Sequence, residues 1–133
     1  MGESIHITTT YNQHDGSLIT DKGTTIALGG EKDTVAPYEL LLGGLSYCLF
    51  KTFESIAEKM QVEYVGMDID IVGVKRDDKV AMLETVTLKV DAKGIKEEQK
   101  GKFSKAFEVS TRYCSVFNTL AKIAEMKWDI NFQ

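Results

Sequence analysis

The chain has 133 residues, with 16 Lys+Arg against 20 Asp+Glu, a net charge of −4 and a pI near 5.2. That length predicts a single domain over residues 1–133, and the acidic balance excludes nucleic acid as a main partner, because phosphate binding needs a positive field. Hydrophobic residues make up 43% and charged residues 27%, the composition of a globular protein whose core needs no disulfide or metal staple.

Residues 1–10 lack a basic segment followed by an apolar run, so no secretory signal peptide is expected there. Residues 4–11 are rich in β-branched side chains and predict a strand. His14-Asp15-Gly16-Ser17 and Thr20-Asp21-Lys22-Gly23 carry turn chemistry, with short strands predicted at 17–20 and 24–28. The three strands form a meander that ends in a loop at 29–33.

Pro37, the one proline, suits the first turn of a helix, where its missing N–H has no partner to lose. Ala36 before it is a poor cap. From Pro37 to about Met60, Leu41, Leu45, Leu49, Phe53, Ile56, Ala57 and Met60 share a face. Leu40, Leu42 and Phe50 widen it, so the helix is expected to be buried on several sides. Gly43 and Gly44 within it predict close packing or close approach of a ligand. The nearly unbroken apolar run, residues 40–50, falls short of the ~20 residues a membrane span needs. A cytoplasmic protein with free thiols and no membrane partner is expected.

Residues 64–75 and 80–92 alternate apolar and polar positions around Arg76-Asp77-Asp78-Lys79, which predicts an antiparallel hairpin with helices on one face. Residues 96–111 predict an amphipathic helix with Phe103, Ala106 and Phe107 inward. A second helix follows at about 115–125 with Val116, Leu120 and Ile123, and a strand at 128–132. The order βββ-α-ββ-αα-β is α+β and not the alternation of a nucleotide-binding sheet.

Two Cys and two His without C-x2-C or H-x3-H spacing predict no metal site. No phosphate-binding glycine loop or nucleophile elbow is present, and no cofactor is expected. The chemistry falls to Cys48, in the middle of the long helix, and Cys114, at the junction of the last two. A helix start at Cys114 would favour a thiolate there. Taken singly, each cysteine also reads as a small buried hydrophobe.

Pro37-Tyr38-Glu39-Leu40-Leu41-Leu42-Gly43-Gly44-Leu45-Ser46-Tyr47-Cys48 resembles the P-x-E-L-L-L-A-A-L-x-x-C helix of the OsmC/Ohr family of thiol peroxidases. Cys114-Ser115-Val116-Phe117-Asn118-Thr119-Leu120 is similar to that family's second motif, C-P-V-x-x-[AT]-L. The resemblance implies an OsmC-like α+β fold: a three-stranded meander, a long buried central helix, further antiparallel strands and two C-terminal helices in an intertwined homodimer. It also implies that Cys48 reduces an organic hydroperoxide and becomes a sulfenic acid. Cys114 would then resolve it to a disulfide, which a cellular dithiol reduces. Glu39 is implied as an orienting group, and Tyr38, Tyr47 and Leu45 are the candidates to line an apolar substrate pocket.

The chain departs from the family pattern in three places. No arginine precedes Arg76, Tyr38 follows Pro37 where catalytic members have glutamate, and Ser115 stands where proline is usual. Lys51 and Arg112 are the cations nearest the two cysteines in sequence. Two other functions fit the same residues: a non-enzymatic protein holding a small hydrophobic or acyl ligand, and a slow redox sensor.

Overall fold

Strands β1 (Ile7–Asn12), β2 (Asp15–Thr20) and β3 (Thr25–Leu28) form an antiparallel meander in the computed structural model, which describes residues 2–133. Met1, within the N-terminal segment and the domain range considered above, lies outside the described residues. Asn12 pairs with Asp15, so the first turn is Gln13 and His14 alone, with Gln13 at φ 57°. The turn sits earlier than the Asp-Gly pair suggested, because Asp15 and Gly16 are already paired in the ladder. The second turn lies where expected, closed by Gly23 N–H donating to the Thr20 carbonyl at 2.9 Å. Val35 N–H returns to the Ala27 carbonyl at 2.9 Å and closes the loop that follows.

The chain forms two compact units, one ending at Leu41 and one spanning Leu42–Gln133. Helix α1 (Pro37–Met60) starts in the first. Ala36 has no side-chain oxygen to cap it, and Glu39 substitutes: its Oε1 accepts the Ala36 N–H at 2.8 Å, the carboxylate half of a capping box.

The second unit holds the core. Strands β4 (Gly66–Lys75), β5 (Leu83–Lys93) and β6 (Glu125–Phe132) form one sheet in the order β4-β5-β6. Val86, Leu88, Val90 and Ala92 of β5 are almost completely buried, and the alternate positions of that strand are polar, as the period-2 pattern predicts. β4 and β5 are antiparallel, whereas β5 and β6 are parallel. The antiparallel hairpin is as expected, and the closing strand, for which the alternation gave no orientation, is parallel to its neighbour. A parallel neighbour requires a crossover, and here it is made of a 3-10 turn at Glu97–Gln99, α2 (Lys100–Tyr113) and α3 (Ser115–Ala121). Helix α3 stops short of the expected end because β6 must begin at Glu125 to pair with Thr85. Ile123, expected inward, is left 45% exposed in the connection.

Within this unit α1 buries Leu45, Leu49, Phe53 and Ala57, one stripe at helical spacing. Phe53 packs against Phe103 and Phe107 of α2 and against Tyr64, with ring centroids 4.8, 6.2 and 5.3 Å away. Phe103 and Phe107 meet Phe132 and Trp128 of β6. Gly73 on β4 has no side chain because Leu42 and Leu83 occupy the space, each 3.1 Å from where a Cβ would lie. Beside that stripe the single chain leaves Leu42, Phe50 and Ile56 half-buried and Tyr47 67% exposed, and a Cβ at Gly43 or Gly44 would meet nothing. By length and composition α1 is the one helix among the described residues that could cross a membrane. It also carries Lys51, Glu54, Glu58 and Lys59 on its exposed surface and packs its apolar stripe into the core.

Phe53→Ala is expected to cost about 3–5 kcal/mol of unfolding free energy, and Phe53→Leu distinctly less, in chemical denaturation. A cost for Phe53→Ala below 1 kcal/mol would show that the aromatic cluster is not the keystone.

Candidate functional site

The two cysteines, 66 residues apart in sequence, meet in the second unit. Cys114 Sγ lies 3.2 Å from Cys48 Sγ, with both thiols free. That separation exceeds a disulfide bond length by only about 1 Å. Cys48 projects from α1 between the buried Leu45 and Leu49 and is half-buried. Cys114 is fully buried. It occupies the corner between α2 and α3, in extended conformation at φ −71°, ψ 117°.

That corner is built by short-range bonds. Cys114 N–H donates to the Ser110 carbonyl at 2.9 Å and so ends α2. Its sulfur accepts Phe117 N–H at 3.4 Å, acting as the cap of α3. The Asn118 side-chain amide donates to the carbonyls of Thr111, Arg112 and Cys114 at 3.0, 3.1 and 2.8 Å. Asn118 therefore clamps the corner that aims Cys114 at Cys48. Sequence reasoning gave Asn118 no role, although an Asn four residues after a helix-breaking position is well placed to bond back to its carbonyl.

The two sulfurs differ electrostatically. For Cys48, burial acts to raise the thiol pKa. Bonds from Val116 N–H, from Cys114 and from the Ser115 hydroxyl and N–H outweigh it, and the net direction is downward. For Cys114, burial dominates and the neighbouring Cys48 adds to it, so the thiol is pushed up to about 11. The expectation of a thiolate at Cys114 is thus corrected. The chain start of α3 presents its N–H groups to Cys48 as well, and burial decides the charge state of Cys114.

The expected cations are engaged elsewhere. Lys51 Nζ pairs with Glu54 at 2.6 Å, and the bond to Glu54 raises its pKa. Arg112 pairs with Glu108, whose carboxyl it holds below the usual range. Glu39 is exposed and bonded to its own helix start. Leu45 is completely buried and packs in the core, so it offers no surface to a substrate. Tyr38 is half-buried and Tyr47 exposed.

An open groove of about 490 Å³ runs between α1 and α2, lined by Lys51, Thr52, Ser55, Ile56, Lys59, Val109 and Tyr113. It starts one turn beyond Cys48, whose carbonyl accepts the Thr52 hydroxyl at 3.0 Å. A more apolar groove of about 430 Å³ belongs to the N-terminal unit, among Ile7, Tyr11, Leu18, Leu28, Val35 and Leu40. Two sulfurs in contact, one activated and one held protonated, are equipped for dithiol–disulfide chemistry.

Residues 29–129 match the model of a family described as OsmC-like protein. Solved structures agree in fold. An OsmC-like protein from Mycoplasma pneumoniae shares 18% identity at a TM-score of 0.83, covering 99% of each chain. A hypothetical protein from Aquifex aeolicus shares 23% at 0.78, again over 99% of each chain. The organic hydroperoxide resistance protein OhrB of Bacillus subtilis shares 16% at 0.71, over 97% of this chain and 98% of its own. Among curated proteins, none matches the chain.

Two outcomes test this geometry. Cys114, protonated in the fold with a pKa near 11, ionises first in the unfolded chain, close to the ordinary value of 9.0. Stability is therefore expected to hold below about pH 9 and to fall as pH rises toward 11, and Cys114→Ala should flatten that fall in thermal melts. Asn118→Ala should cost about 1 kcal/mol by denaturation, since each of its bonds is partly solvated.

Proposed function

We propose that this chain, which belongs to the OsmC-like family, is a thiol-dependent peroxidase for organic hydroperoxides, with Cys48 as nucleophile and Cys114 as resolver. The observation that carries the reading is the 3.2 Å contact between a half-buried, activated sulfur and a buried, protonated one.

In the first step the Cys48 thiolate attacks the terminal peroxide oxygen. An S–O bond forms, the O–O bond breaks, and the alkoxide leaves as the alcohol after taking a proton. Cys48 is then a sulfenic acid. Cys114 attacks its sulfur, the S–S bond forms, and the hydroxyl leaves as water with the Cys114 proton. A cellular dithiol returns both sulfurs to thiols by exchange. The order of events follows from the electrostatics. After burial, the neighbouring Cys48 is what disfavours ionisation of Cys114. A neutral sulfenic acid removes that charge, so ionisation of Cys114 is opposed less, though still by burial, once Cys48 has been oxidised.

The proposed assembly is a homodimer in the cytoplasm. Its support is the exposed turn of α1, where Gly43, Gly44 and Tyr47 leave room for a second copy to approach. The mechanism gives Glu39 no step, since its carboxylate caps the helix.

Intact mass and free-thiol count after a small excess of cumene hydroperoxide test the reading. Both thiols should be lost together as one intramolecular disulfide, and a trappable sulfenic acid should appear only in Cys114→Ser. Cys48→Ser should keep its remaining thiol. Thiols that stay reduced for minutes would overturn the proposal.

A further inference from the structure

We infer that the Ser115 hydroxyl is a side-chain donor, beside the Cys114 thiol, that sustains the reactive form of the Cys48 sulfur, a role that rests on the reading of Cys48 as the nucleophile. Ser115 Oγ lies 3.9 Å from Cys48 Sγ. Ser115 opens α3, directly after the capping Cys114. The first position of a helix makes no demand on the side chain, and its own N–H is one of the donors left without a helical acceptor. Even a proline fits there. A serine at this place therefore adds two donors that the helix does not use, the hydroxyl and the N–H, on the side where the sulfur lies.

Ser115 shares this work with Val116 N–H and the Cys114 thiol, and the neighbouring charged and phenolic side chains are turned elsewhere. On α1, Lys51 is bound to Glu54 and Tyr47 points to solvent. At the end of α2, Arg112 is bound to Glu108 and Tyr113 is 73% exposed. Cys114 is the titratable group in contact, and it bonds to Cys48 through its thiol proton at 3.2 Å. Among the described residues of the second unit, developing negative charge on Cys48 is thus met by hydrogen bonds. A hydroxyl can rotate its proton, so Ser115 can follow the sulfur through the change from thiolate to sulfenic acid.

Site-resolved alkylation of the reduced protein by iodoacetamide across pH, read from the two cysteine peptides, tests the inference. Ser115→Ala should raise the Cys48 midpoint by roughly half a unit and slow its alkylation at pH 7 about threefold. Ser115→Pro, which lacks both donors, should raise it further. Ser115→Thr, which keeps the hydroxyl, should stay near the parent. An unchanged midpoint in Ser115→Ala overturns the inference. So does an equal rise in Ser115→Thr, which would trace the effect to packing. Should the parent protein ignore cumene hydroperoxide while the midpoint still follows the hydroxyl, the peroxidase reading falls and the role of Ser115 stands.

Discussion

The contact on which the structure depends is the seating of α1 through Phe53. Its ring touches Tyr64, Phe103 and Phe107, and the last two reach Phe132 and Trp128, so one side chain ties the long helix to α2 and to the closing strand. Cys48 sits a little more than one turn before Phe53 on that helix, and Cys114 ends the helix that carries Phe103 and Phe107. The two sulfurs therefore meet because aromatic packing sets the spacing of α1 and α2. Dense cores transmit small volume changes, which places the dithiol under the control of residues that never touch it.

Activation of Cys48 is assembled from weak parts. No single bond to sulfur matches an arginine, and each competes with the cost of burial. Together Val116 N–H, Cys114 and Ser115 tip the balance downward, whereas at Cys114 the same kinds of bonds are too few. Half-burial leaves the Cys48 sulfur accessible, and full burial holds Cys114 protonated.

Much of this was legible in the chain. Pro37 and the Leu45-Leu49-Phe53-Ala57 spacing marked both ends and the buried stripe of α1, because helix starts and periodic faces are local properties. The paired motifs around Cys48 and Cys114 pointed to the site. Other features were hidden for physical reasons. Alternation in residues 128–132 says which side of β6 faces inward, but not that β5 is its parallel neighbour. The charge state of Cys114 depends on burial by distant segments, and the capture of Arg112 by Glu108 and Lys51 by Glu54 shows that nearness in sequence does not aim a cation. The breadth of apolar residues on α1 marked a helix with more than one apolar side, yet the chain itself covers only one of them.

The parallel pairing of β5 with β6 has a temporal consequence. During synthesis Cys48 leaves the ribosome 66 residues ahead of Cys114, on a helix whose aromatic partners do not yet exist. The crossover that carries Cys114 and the start of α3 is made only after β5, and it enters the fold through contacts with α1 that are non-local and slow to form. Until then the first sulfur has neither its donors nor its partner, and its acidity is that of an ordinary thiol. The meeting of the two sulfurs thus waits for the C-terminal third of the chain, so the order of synthesis and the fold together determine when the pair can form.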